Sequence, residues 1–208
     1  MQLFLDIDGV LLNFEHSFVA WLNQDQGLQL PPNYEPAQWD FLEVLEKKAL
    51  EESWLRFLDS EQVGHMPSLV DPAGFNTLAE RYEVHLLTNF PALHMEKRLG
   101  NLKRHGFRYD SLNYCGLHSF KDHRPRSKSA VVSELFRGGN AALFVDDHPD
   151  NCLDVHTHCP GVEVWVMSRR FNREFSHPGI SRAQDWGCLF TRLDSAGRFP
   201  TLPGARHP

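Results

Sequence analysis

Residues 3–10 read Leu-Phe-Leu-Asp-Ile-Asp-Gly-Val, a short apolar run that ends in two carboxylates, Asp6 and Asp8, with Gly9 directly behind them. A brief apolar run bounded by turn chemistry is the pattern of a buried parallel strand. In an α/β protein, ligands collect outside the carboxyl ends of such strands. Two acids in tandem at that place repel each other, and only a cation or another partner offsets the repulsion. A strand with a purely structural task has no use for them. The bland reading of the octet is an acidic loop closed by an ordinary Asp-Gly turn.

The rest of the chain decides between the two readings. Ala142–Val145 is a second apolar run that ends in paired acids, Asp146 and Asp147, with Asp150 and Asn151 close behind. A third run, Val84–Leu87, ends in Thr88 and Asn89, and Lys128 opens an amphipathic stretch between these two runs. Tandem acids on two strand ends form an oxygen cage of the hardness that Mg2+ prefers. Thr88 supplies a hydroxyl and Lys128 a fixed positive charge, which together suit a phosphate dianion. An acidic loop alone does not account for four such elements in this order.

These residues resemble the haloacid dehalogenase (HAD) superfamily of aspartate-nucleophile phosphohydrolases. Asp-Ile-Asp-Gly-Val is similar to its first motif, Leu-Leu-Thr-Asn to the second, Lys128 to the third and Val-Asp-Asp to the fourth. The resemblance runs from about residue 2 to residue 190. Asp-Gly-Val-Leu-Leu-Asn-Phe-Glu and the double Asp of the fourth motif look most like the 5′(3′)-deoxyribonucleotidase branch. The resemblance implies that Asp6 is the nucleophile and Asp8 the general acid and base. It implies that Thr88, Asn89 and Lys128 bind phosphate. It also implies Mg2+ held by Asp6, the Asp8 backbone carbonyl and Asp147, with Asp146 assisting through water. An acid at position 8 favours phosphoryl transfer to water over dehalogenation, because members that do other chemistry frequently lack it. Lys121 competes with Lys128 for the third-motif role; Lys128 is preferred because it begins a helix that leads into the fourth-motif strand. Asp150 is either an outer ligand or a helix N-terminal acid, and His148 and Asn151 lie at the edge without a defined role.

Composition narrows the partners. A chain of 208 residues can form one core domain with an insertion, or two small domains. Its net charge of −6 leaves no basic footprint for a nucleic-acid duplex. A small phosphorylated metabolite needs only a local positive site. The first dozen residues carry two acids and no basic segment, so they are not expected to be a secretory leader. No run approaches a membrane span. The expected compartment is the cytoplasm. Four cysteines (Cys115, Cys152, Cys159 and Cys188) form no Cys-x-x-Cys pair and read as reduced thiols. Cys152, His156, His158 and Cys159 have the density of a zinc site, but a helix packed on a sheet, with surface histidines and a buried cysteine, explains them better. No Gly-x-Ser-x-Gly elbow or P-loop is present to support a serine hydrolase or an NTPase of those classes.

The expected fold is α/β, a Rossmann-like parallel sheet of about five strands flanked by helices, with a small helical cap inserted after the first strand. The strands are Leu3–Ile7, Val84–Leu87, Leu112–Cys115, Ala142–Val145 and Val162–Met167. Helices are predicted from Pro72 to Arg81, from Pro91 to Gly106 with Leu99 and Leu102 on the apolar face, from Ser127 to Phe136, and over Gln184–Leu193. Residues 1–13 and 71–195 form the core domain and residues 14–70 the cap. In the family, a cap of this length covers the site of small-molecule phosphatases. The cap carries eight rings (Phe14, Phe18, Trp21, Tyr34, Trp39, Phe41, Trp54 and Phe57), most of them expected in its own core, with some available to stack a planar group. The tail, residues 196–208, lacks a core-forming pattern and is expected to be disordered. The function expected from all of this is hydrolysis of small phosphate monoesters. A nucleoside monophosphate is the first-choice substrate; a sugar phosphate and a non-catalytic phosphate-binding role are the alternatives.

Overall fold

Each apolar run with acids or hydroxyls at its end becomes a strand of one sheet. The computed structural model describes residues 1–116, 126–138 and 141–194. The strands are β1 (Gln2–Asp6), β2 (Glu83–Thr88), β3 (Ser111–Tyr114), β4 (Ala142–Asp146), β5 (Val162–Met167) and β6 (Ile180–Ala183). All pair in parallel, in the order β3-β2-β1-β4-β5-β6. The chain winds outward from β1 through β2 to β3, then crosses to lay β4 on the other side of β1. The winding therefore reverses between β1 and β4, and the crevice that such a reversal opens lies at their carboxyl ends. Asp6 and Asp146 are the last residues of these two strands.

β6 escaped the periodicity reading. Ile-Ser-Arg-Ala has no apolar run, and as an edge strand it needs none, since it pairs only with β5. The five expected strands each fall within a residue of their observed bounds.

The flanking helices begin and end where local chemistry dictates. The Asp71 side chain accepts from the Gly74 amide at 2.9 Å and caps α3 (Pro72–Ala79). Pro91 does not start the next helix as predicted. It precedes a short 3₁₀ turn, Ala92–His94, and α4 spans Met95–His105, closed by Gly106 at φ 72°. The predicted apolar face of α4 is also half wrong: Leu102 is buried, but Leu99 is 44% exposed and Arg98 is 0% exposed. The Ser127 hydroxyl accepts from the Ala130 amide at 3.1 Å and caps α5 (Lys128–Leu135). Helices α6 (Pro149–His158) and α7 (Trp186–Leu193) complete the layers. The Cys152 thiol, inside α6, points at the Asp146 and Trp165 carbonyls of the sheet, and Cys159 is buried as well.

Between β1 and α3 lie α1 (Phe14–Gln26), α2 (Lys47–Asp59) and a 3₁₀ turn, Gln62–His65. Their rings pack on one another: Phe14 on Trp54 at 5.1 Å, and Phe18 on Phe41 at 5.2 Å and on Phe57 at 5.3 Å between centroids. Most rings of this segment thus form its core, as expected. Trp39 is the exception at 59% exposed. Asp25 ties α1 to α2 by accepting from Arg56 Nη2 at 2.7 Å and Nε at 2.8 Å. Among the described residues no helix is long and apolar enough to cross a membrane. Lys121 and the tail from residue 195 lie outside the described residues.

α7 is tied to the turn after β1 by one buried bond, from Trp186 Nε1 to the Val10 carbonyl at 2.8 Å. Trp186→Phe keeps most of the apolar area but strands that carbonyl. The expected loss of stability is about 1–3 kcal/mol, read as a lower denaturation midpoint at unchanged m-value.

Candidate active site

The turn after β1 brings the first two acids into the crevice. Ile7 accepts from the amides of Leu11 at 2.8 Å and Leu12 at 2.9 Å, so the chain winds once and leaves the sheet. Gly9 sits in that turn at φ 71°, and a Cβ there would come within 1.8 Å of Asp147 Oδ2. Glycine is required on both counts: the left-handed conformation and the close approach of the Asp147 carboxylate.

Lys128 joins the two strand ends. Its Nζ lies 2.7 Å from Asp6 Oδ1 and 2.6 Å from Asp146 Oδ2, with all three side chains almost fully buried. Burial works against the ammonium, but Asp146 and Asp6 outweigh it and hold the Lys128 pKa above its ordinary value. Lys128 is a lysine that the described structure places here; the sequence alternative, Lys121, lies outside the described residues. Asp146 is fully engaged. Its Oδ1 accepts from the His148 amide at 2.8 Å, and Asn151 Nδ2 reaches both its oxygens at 3.1 Å. Asn151 and His148, without a role in the sequence reading, therefore orient this carboxylate.

One oxygen each of Asp6, Asp146 and Asp147 lie within 4.8 Å of one another. Crowding shows in the titration of these acids. Burial, opposed by Lys128 and assisted by Asp146 and Asp8, pushes the Asp6 carboxyl up to about 7. Burial, with the charges of Asp6 and Asp146, also raises Asp147, against the pull of Arg169. Lys128 pairs with Asp6 and Asp146, which leaves Asp147 as a third acid beside them; such a donor set favours a further cation, and hard oxygens suit a divalent one. The side chain of Asp8 is not part of this group. Asp150, exposed in the first turn of α6, is not part of it either; its place suits the helix N-terminus.

Thr88 ends β2 fully buried, and its Oγ1 accepts from the Phe90 amide at 3.1 Å. Asn89 follows, half-buried. Asp8 meets a residue that the sequence reading did not single out: Arg98 of α4, whose Nη2 lies 2.7 Å from each Asp8 oxygen. Also missed was the loop after β5. Arg169 donates to the Gly9 carbonyl, and Asn172 Nδ2 to the Asp147 carbonyl at 2.6 Å and the Met167 carbonyl at 2.8 Å. No apolar period marks such residues, because their task is to satisfy backbone groups. A cleft of about 400 Å³ opens beside the site, lined by Trp39, Asp40, His148 and Phe171 among others. Trp39 stands edge-on to His148 at 5.2 Å between ring centroids.

Comparison with known proteins agrees with this architecture. No family model matches the chain. No curated protein matches it either. Solved structures do, and the fold is that of HAD-like hydrolases. YfnB from Bacillus subtilis, bound to magnesium, has 16% identity and a TM-score of 0.56 over 93% of this chain and 98% of its own. CbbY from Rhodobacter sphaeroides, in complex with phosphate, has 14% identity and a TM-score of 0.55 over 95% and 98%. An L-2-haloacid dehalogenase has 13% identity and a TM-score of 0.54 over 92% and 98%. At such identities the likeness establishes the fold; the reaction must be argued from the site.

Glu15, in the first turn of α1, gives the site a measurable pH signature. Burial, opposed by Arg169 and reinforced by Glu35, pushes its carboxyl up to about 7, and its Oε1 has no hydrogen-bond partner among the described residues. A folded-state pKa above the unfolded value of 4.5 means stability that is fully present below pH 4.5 and lost as pH rises through about 7. Glu15→Gln removes the buried charge. It should raise the melting temperature relative to wild type at pH 8, with the difference shrinking toward zero as the pH is brought to 4.5. An equal difference at both pH values would refute the assignment.

Proposed function

We propose that this protein is a Mg2+-dependent phosphatase that hydrolyses small phosphate monoesters through an aspartyl-phosphate on Asp6. The observation that carries the reading is the meeting of Asp6, Asp146 and Asp147 in one crevice, with the buried ammonium of Lys128 bridging Asp6 and Asp146. Asp6, Asp147 and the Asp8 backbone carbonyl would hold the ion. Bound there, it supplies positive charge that lowers the repulsion between an ester dianion and an anionic nucleophile.

The chain's own residues do the rest. An Asp6 oxygen attacks phosphorus, the ester P–O bond breaks, and the alcohol leaves with a proton from Asp8. Water, deprotonated by Asp8, then attacks phosphorus and frees inorganic phosphate and Asp6. Thr88, Asn89 and Lys128 bind the non-bridging oxygens, and Lys128 offsets the charge that spreads over them in the transition state. Its bonds to Asp146, themselves braced by Asn151 and His148, hold the ammonium in place before substrate arrives. A dehalogenase shares the fold; Asp8 supports phosphoryl transfer instead, because displacement of a halide requires no proton donor.

Residues 14–70 serve as the cap that selects a small substrate. A nucleoside monophosphate is the first choice, supported by the exposed indole of Trp39 on a cleft of about 400 Å³. A sugar phosphate is the second candidate, and phosphate release from a panel of both classes separates them.

Wild-type protein with Mg2+ should hydrolyse p-nitrophenyl phosphate, and exhaustive chelation should stop it. Asp6→Asn should lower kcat by well over tenfold, that is by more than ~1.4 kcal/mol of barrier, with the melting temperature little changed. Residual activity within tenfold of wild type would remove Asp6 as the nucleophile, and undiminished turnover after chelation would remove the metal.

A further inference from the structure

We propose that Arg98 is a positioning residue for Asp8, kept inside the protein to fix the plane and direction of that carboxylate. The proposal rests on the phosphatase reading above and assigns a role to a side chain that this reading does not use.

Arg98 is a costly residue to keep where it is. It is 0% exposed, in the middle of α4, where an apolar side chain would pack without desolvating a charge. Its guanidinium lies over the Phe90 ring at 4.2 Å, and its Nη1 reaches the Met66 sulfur at 3.5 Å. Its Nε has no hydrogen-bond partner among the described residues. Among these residues only Nη2 of its donors meets strong acceptors, and both are oxygens of Asp8 at 2.7 Å. The burial of the guanidinium is therefore compensated mainly through Asp8.

The geometry suits orientation. One nitrogen that spans both oxygens takes one lone pair from each and prevents rotation about the Cβ–Cγ bond. The outward lone pairs stay open, and the Asp8 side chain keeps 28% of its exposure. Protonated on one of these open lone pairs, Asp8 can face the leaving oxygen while Asp6, two residues earlier, faces phosphorus.

The anchor is itself braced. Around Arg98, the same face of α4 grips the chain that returns from the helical segment. Lys97 Nζ donates to the Leu58, Asp59 and Ser60 carbonyls, Asn101 to the Val63 carbonyl at 3.3 Å, and Arg104 to the Gly64 carbonyl at 2.6 Å. Arg98 thereby references the direction of Asp8 to the segment that covers the site.

The test uses kcat/KM for substituted phenyl phosphates, from p-nitrophenyl to phenyl, whose shapes are alike but whose leaving groups differ in their need for a proton. Arg98→Met should lose at least about tenfold more with phenyl phosphate than with p-nitrophenyl phosphate, within the range that a placed general acid contributes. In an Asp8→Asn background it should cause little further loss. Arg98→Lys, which keeps a cation on a shorter side chain without the planar guanidinium, should show the same leaving-group bias to a smaller degree, and it carries the comparison if the Met variant does not fold. Equal loss with every ester, or a loss that adds in full to that of Asp8→Asn, would show that Arg98 only supports the fold and overturn the proposal. Wild-type protein inactive on every ester would instead overturn the phosphatase reading itself.

Discussion

The ammonium of Lys128, fixed between Asp6 and Asp146, is the interaction on which the arrangement of this molecule depends. Transfer of three charges into a nearly water-free crevice costs several kcal/mol per ion, and only close pairing with additional hydrogen bonds offsets it. The sheet order supplies the pairing. β1 and β4 are neighbours, so their terminal acids project together, and the capped first turn of α5 delivers the lysine between them. Asn151 and the His148 amide complete Asp146. Asp147 completes nothing of this kind. It is pressed against Gly9, raised in pKa by burial and by its acidic neighbours, and left as the group with most to gain from a cation.

The tandem acids after β1 are served separately. Asp6 ends the strand, and Asp8 lies in the turn that leaves it, so their side chains diverge. Asp6 meets Lys128 from α5, on the β4 side of the crevice; Asp8 meets Arg98 from α4, which follows β2 on the other. Two acids two residues apart thus have different counterions on different elements. On the proposed mechanism, with Asp6 as nucleophile and Asp8 as proton donor, such independence is useful, because a shared cation would bind their positions and charges together.

Much of this was legible in the sequence, and the remainder was hidden for physical reasons. The strands that carry site residues show themselves because an apolar run that stops at an acid, or at Thr88, has no reason to do so in a plain core. Ser127 marks the start of α5, and with it Lys128, because a cap leaves a local signature. Arg98 left none. On a helical wheel the stretch Met95–His105 shows two leucines and a basic face, and basic faces are ordinarily solvated. Here that face is turned inward, because the returning chain offers a row of unpaired carbonyls and Asp8 offers a charge. Only the fold brings those acceptors to α4, some forty and ninety residues away in sequence. β6, Arg169 and Asn172 were missed for a related reason: an edge strand and a bracing loop answer to backbone hydrogen bonds, which have no hydrophobic period.

The basic residues of α4 also bear on how the helical segment is joined to the sheet. Lys97, Asn101, Arg104 and His105 bind carbonyls between Leu58 and Met66, so the exit of the helical segment is fastened to the sheet domain at several points. Its outer part is fastened more lightly. Between residues 35 and 40 the loop meets the sheet domain through a bond from Arg170 to the Glu35 carbonyl at 2.8 Å and through the edge contact of Trp39 with His148. Few bonds with exposed partners mean a low free energy of local opening, whereas a larger number of bonds, the Asn101 bond to Val63 buried among them, means a higher one. The Trp39 loop is therefore joined to the sheet less tightly than the α4 seam that carries Arg98, and the Asp8–Arg98 pair lies on the more firmly held side.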